Sequence, residues 1–128
     1  MVYKRAQAGD TVSIQLFPLG RHEGIVGFDG YIISRSRRYS GVVSLPPSQF
    51  SNGMIRENHG YIGALTRVET VRRAERLIGD MHYDVARNNC IHFVNEVNGL
   101  PRSARMPSAV RQRTTLSDIA LRLTRSRW

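Results

Sequence analysis

Gly24-Ile25-Val26-Gly27-Phe28 and Tyr31-Ile32-Ile33 flank Asp29-Gly30, and this stretch decides the fold class. Asp-Gly favours the tight turn that matches the twist of two antiparallel strands, so residues 24–33 read as a β-hairpin. Upstream, residues 11–17 alternate Val12, Ile14 and Leu16 with polar neighbours, the period-two signature of a half-buried strand. Downstream, Gly41 to Leu45 reads as a further short strand that stops at Pro46-Pro47. Residues 46–66 are rich in Ser, Pro, Gly and Asn and hold no sustained period, which predicts a loop with at most one short strand near Tyr61.

From Val68 the period changes. Val68, Val71, Ala74, Leu77 and Ile78 form an apolar stripe, with Arg72, Arg73, Glu75 and Arg76 on the other face; this predicts a helix that Gly79 stops. A second helix is predicted from Cys90 to about Asn98, capped by Asn88 or Asn89, with Cys90, Phe93, Val94 and Val97 facing inward and Gly99 and Pro101 beyond its end. Leu116, Ile119, Ala120 and Leu123 are spaced for a short amphipathic helix near the C-terminus. Short strands followed by helices predict an α+β domain over residues 1–100, with 101–128 a basic tail.

The chain of 128 residues is long enough to bury a core without disulfides, and its single cysteine, Cys90, excludes an internal one. No apolar run approaches the ~20 residues that cross a bilayer, and the opening MVYKRAQAGD lacks a signal-peptide pattern. The expected location is cytoplasmic or peripheral to a membrane. The net charge of +9 is uneven: residues 1–100 carry twelve Lys/Arg against nine Asp/Glu, and 101–128 carry seven Arg against Asp118 alone. An Arg-rich tail without a nucleic-acid-binding motif is a poor case for nucleic-acid binding. Combined with the Leu116–Leu123 stripe, it points instead to peripheral contact with anionic membrane.

Cys90 at the first turn of a helix meets unpaired backbone N–H groups and the positive end of the dipole, both of which favour a thiolate, so its thiol is expected below the ~8.5 of free cysteine. Taken alone, a cysteine there is more often a small buried residue than a nucleophile. His22 is likewise unremarkable by itself. One cysteine and four scattered histidines lack paired ligand spacing, so no zinc site or other cofactor is expected.

The surrounding text changes the reading: Arg21-His22-Glu23-Gly24-Ile25-Val26-Gly27, then Asp29-Gly30-Tyr31-Ile32-Ile33-Ser34, and later Tyr83 followed by Asn88-Asn89-Cys90-Ile91-His92-Phe93-Val94. Over about residues 8–98 this resembles the lecithin:retinol acyltransferase-like family, within the NlpC-type, permuted papain-like cysteine hydrolases. The resemblance implies a small antiparallel sheet or partial barrel packed against helices, with the histidine strand ahead of the cysteine helix. It implies that Cys90 attacks an acyl carbon and that His22 activates it and protonates the leaving group. Twelve residues beyond His22, where the family often carries a second histidine or another polar orienting residue, stands Ser34, whose hydroxyl can accept the imidazole N–H but offers no charge. His92 is assigned to the framework, and Tyr83 either lines the cleft or fills the core. Glu23 faces away from His22 by the pleat, and His59 and His82 fall in predicted loops. The backbone N–H of Cys90 is the simplest oxyanion donor.

The resemblance thus implies an acyl hydrolase or acyltransferase working through an acyl-Cys thioester on an acyl-bearing substrate, with lipid esters favoured. Peptide or cell-wall amide hydrolysis, as in the wider superfamily, is the alternative within the same chemistry. A binding module without turnover, resembling picornaviral H-box/NC proteins, is the alternative outside it.

Overall fold

The computed structural model describes residues 5–16 and 20–106. Alternation in residues 11–17 becomes strand β1 (Thr11–Gln15), and the hairpin becomes β2 (Arg21–Val26) and β3 (Ile32–Ser36). Gly27 donates its N–H to the carbonyl of Tyr31 at 2.7 Å, and Gly30 sits at φ +85°, a left-handed conformation that glycine adopts without steric cost. Strand β4 (Gly41–Leu45) follows the next turn.

Two elements arise in the segment that reads as a loop. Helix α1 (Pro47–Ser51) occupies five residues, too few for a helical period to show, and it buries Phe50 completely. Strand β5 (Arg56–Gly60) lies just before Tyr61. Its polar sequence carries no apolar alternation, because it is an edge strand held to β1 by backbone pairing. His59 therefore lies on a strand rather than in a loop, whereas His82 is in a connecting segment with its side chain 85% exposed.

The strands form one open five-stranded sheet in the order β4-β3-β2-β1-β5, antiparallel throughout. Helix α2 (Arg67–Leu77) starts at Thr66, whose hydroxyl accepts from the N–H of Glu69 at 3.1 Å. Val71 and Ala74 are its core residues, while Val68 and Ile78, placed by periodicity on the same stripe, are exposed. Helix α3 (Cys90–Val97) begins at Cys90 as the sequence predicts, and of the two candidate caps, Asn88 and Asn89, the structure uses Asn89.

Two apolar clusters lie on the two faces of the sheet. Ile25, Ile33 and Val42 meet Val71, Ala74, Phe93, Val94 and Val97 of the helices. Val12, Ile14, Leu16, Val26 and Ile32 gather around Phe50. After α3 the chain returns toward the sheet: the Asn95 side chain donates to the carbonyls of Arg102 and Ala104 at 2.8 and 2.6 Å. The expected Leu116–Leu123 helix lies outside the described residues. Among those described, no helix is long and apolar enough to cross a membrane.

Candidate active site

The Asn88-Asn89-Cys90 box is ordered by its own polar groups. The Asn89 side-chain oxygen accepts from the N–H groups of Ile91 and His92 at 2.9 and 3.0 Å, and its amide donates to the carbonyl of Val85 at 2.8 Å. His92 Nδ1 accepts from the Asn89 N–H at 3.1 Å, completing a reciprocal cap. Burial, with Arg102 and Arg35 nearby, holds the His92 imidazole below its usual value, so it stays in the neutral form that an acceptor nitrogen requires. His92 is thus a framework residue. Asn88 bonds the guanidinium of Arg35 and, at 3.1 Å, that of Arg102, and its amide donates to the carbonyl of His82 at 2.9 Å.

Cys90 is held against β2 where that strand has lost its neighbour. β2 and β3 pair only through Ile25–Ile33 and Val26–Ile32. Toward Arg21 the ladder on that side stops, and the Cys90 thiol takes the vacant place, 3.8 Å from the carbonyl of Arg21. Burial pushes the thiol up to about 12, outweighing the backbone N–H groups of Glu23, Cys90 and Ile91, which favour the thiolate, while the Glu23 carboxylate adds to the upward push. The expectation of a thiol below the free value is therefore reversed here: the helix start acts in the predicted direction, and desolvation is larger.

The pleat of β2 separates the two residues singled out by the sequence. Ile25 packs with α3, and the Glu23 carboxylate is bound by Arg105, which also bonds Asn95 of α3. His22 belongs to the other face, where its ring stacks on Phe50 at 5.0 Å between centroids. Gly24 permits this, since a Cβ there would come within 3.1 Å of Phe50 Cε1. Burial drives His22 down to about 3, so the imidazole is neutral over the physiological range. Cys90 meets the backbone on either side of His22, and the imidazole leaves from the Phe50 face of the strand.

Ser34 is fully buried on β3, on the same face as Ile32 and His22, and its Oγ has no hydrogen-bond partner among the described residues. Ser36 is buried and unpartnered in the same way. Carrying the β2–β3 register past its last pair would set Ser36 across from His22 and Ser34 across from Gly24. Alternation along β3 could have nominated Ser36, because it repeats the Ser34 position two residues on.

Two charged residues stand on the helix-facing side: Glu23, which the pleat sets opposite His22 as the sequence predicts, and Arg35, which sequence reasoning passed over. Glu23, fully buried, pairs with Arg21 at 2.6 Å and with Arg105 at 2.9 Å. Arg35, 3% exposed, pairs with Asp80 at 3.1 Å and lies over the ring of Phe93. A charge alternating with Ile25 or Ile33 toward the core was the available signal. Tyr83 lines a cavity of about 340 Å³ with Arg37, Ser40, Met81, Asp84 and Val85. Burial, and next to it the Cys90 thiol, push the Tyr83 hydroxyl well above its usual value. No group of three or more His, Cys, Asp or Glu among the described residues could hold a metal ion.

No curated protein matches the chain. The family model for lecithin retinol acyltransferase matches residues 32–99, a span that contains Ser34, Tyr83 and the Asn-Cys box and begins after His22. Covering just over half of the 128 residues, this match places the chain in the lecithin retinol acyltransferase family.

Proposed function

We propose that this protein is a thiol-dependent acyltransferase or acyl hydrolase in which Cys90 is the nucleophile and His22 its base, with Ser34, unpartnered at rest among the described residues, the hydroxyl available to orient the imidazole. The observation that carries the reading is the placement of Sγ: at the start of α3, beside backbone N–H groups of Glu23, Cys90 and Ile91 that favour its anion. The same donors suit the negative charge of a tetrahedral adduct on an attacked carbonyl. With the histidine strand ahead of the cysteine helix, the order of β2 and α3 agrees with a permuted papain-like arrangement.

In this reading the resting pair is a neutral thiol and a neutral imidazole rather than an ion pair. Engagement of substrate at the opening between β2 and β3 brings ring and thiol together in this reading. His22 takes the thiol proton as Sγ bonds to the acyl carbon, and returns it to the departing alkoxide as the ester C–O bond breaks. Water or an acceptor alcohol or amine then attacks the thioester as His22 takes its proton; the C–S bond breaks, and His22 passes that proton to the departing Cys90 sulfur. Lipid esters are the favoured substrates. The Arg-rich segment 101–128, net +6, is proposed to attract the protein to anionic membrane.

The buried, protonated thiol favours a second reading, a binding module that keeps the fold without turnover. Intact-mass measurement after incubation with an activated acyl ester separates the two. An acyl adduct that maps to Cys90, is absent from Cys90→Ala and forms more slowly in His22→Ala supports the enzyme. No adduct, together with no turnover of lipid esters or peptide amides, selects the binding module.

A further inference from the structure

The turn between β3 and β4 and the segment after α2 form one surface. The N–H of Val42 donates to the carbonyl of Asp80 at 2.8 Å, and the N–H of Gly79 donates to the carbonyl of Val42 at 3.0 Å. Gly41 allows this approach, since a Cβ there would lie 2.8 Å from the Cα of Met81. Met81 is thereby fixed beside the turn at residues 37–40, and both border the cavity that Tyr83 lines.

What this surface shows to solvent is apolar and cationic together. Met81 is 61% exposed, Ile78 44% and Tyr39 38%. The Arg38 guanidinium lies over the Tyr39 ring, 5.8 Å from its centroid, and Arg37 stands at the cavity wall. The acidic groups nearby are engaged: Asp80 with Arg35 and His82, and Asp84 with the N–H groups of Ala86 and Arg87. An aromatic ring with a stacked arginine, flanked by unbranched and branched aliphatic side chains, suits the boundary between headgroups and acyl chains.

We propose that this face, centred on Arg38, Tyr39 and Met81, docks the folded domain on an anionic lipid bilayer, with the Tyr83 cavity turned toward the lipid. The inference uses no step of the acyl chemistry and does not depend on residues 107–128. It therefore stands or falls separately from the proposed function.

The test places an environment-sensitive fluorophore on single cysteines in the full chain, in a Cys90→Ala background. One cysteine replaces Met81, and the other replaces Ile55, which is 92% exposed on a different loop. Vesicles are phosphatidylcholine alone or phosphatidylcholine with phosphatidylserine. A label at position 81 should shift to the blue with the anionic vesicles, and a label at position 55 should stay in water. Arg38→Ala should weaken the shift at 81 about fivefold in lipid concentration, and Arg38→Glu by more. Circular dichroism verifies that each variant is folded. A label at 81 that remains aqueous overturns the proposal, whether or not the protein sediments with vesicles. So does an equal shift at 55, or a shift that depends on protein concentration without lipid, which would mark self-association.

Discussion

The Cys90 thiol donates toward the backbone carbonyl of Arg21 at 3.8 Å, standing where a neighbouring strand's N–H would otherwise be. That relationship couples the nucleophile candidate to sheet geometry rather than to a side chain. It also explains how a cysteine at a helix start ends with a raised pKa: the position is roofed by β2 and closed to water, and desolvation exceeds what a few backbone dipoles return.

The thiol should therefore react slowly near neutrality. Alkylation followed against pH should show a midpoint above the ~8.5 of free cysteine, moving toward about 12. Since the folded state holds this proton more tightly, the associated stability is present below the free value and is lost as pH rises through the folded one. A midpoint at or below that of free cysteine would show that the thiol is activated at rest.

His22 has the opposite linkage. Its folded value is driven to about 3 by burial against ~6.5 when unfolded. Its neutral ring favours the native state above pH ~6.5, and that contribution is lost as pH falls toward 3, by at most ~1.4 kcal/mol per unit. Urea denaturation from pH 7 to 4 should show a steeper loss for the wild type than for His22→Gln. Parallel curves would mean that the ring is already protonated or exposed.

Asn89→Ala should lower stability by about 1–2 kcal/mol, because it removes the acceptor for two N–H groups of α3 and leaves the Val85 carbonyl without its donor. Asn89→Ser, which can still cap, should recover part of this. The check is chemical denaturation of both variants. The same displacement of α3 should slow any acylation at Cys90.

Arg105→Ala leaves the buried Glu23 carboxylate with Arg21 alone and should cost about 2–3 kcal/mol. Glu23→Gln in the same chain should reduce that cost, since the charge needing compensation is gone. A double-mutant cycle measures the coupling. Additive effects would show that the ion pair is not formed in solution. A truncation intended to remove only the tail should for the same reason keep residues up to 106.

The hairpin, both long helices, an asparagine cap at Asn88 or Asn89 and the start of α3 at Cys90 were legible in the sequence, because each follows from local chemistry: an Asp-Gly turn, a period, a side chain that accepts from the next N–H groups. Helix α1 and β5 were not, since five residues cannot display a helical period and an edge strand held by backbone bonds needs no apolar pattern. The candidate site divides in the same way. Sequence text singled out Cys90, His22 and Ser34, and it assigned His92 to the framework. Only the tertiary structure decided that Cys90 enters the gap where β2 and β3 part, that the pleat sends His22 toward Phe50, and that Glu23 is the acidic group beside the thiol. Those outcomes depend on which strands pair and how far, and pairing joins residues distant in sequence through backbone groups that are the same in every residue.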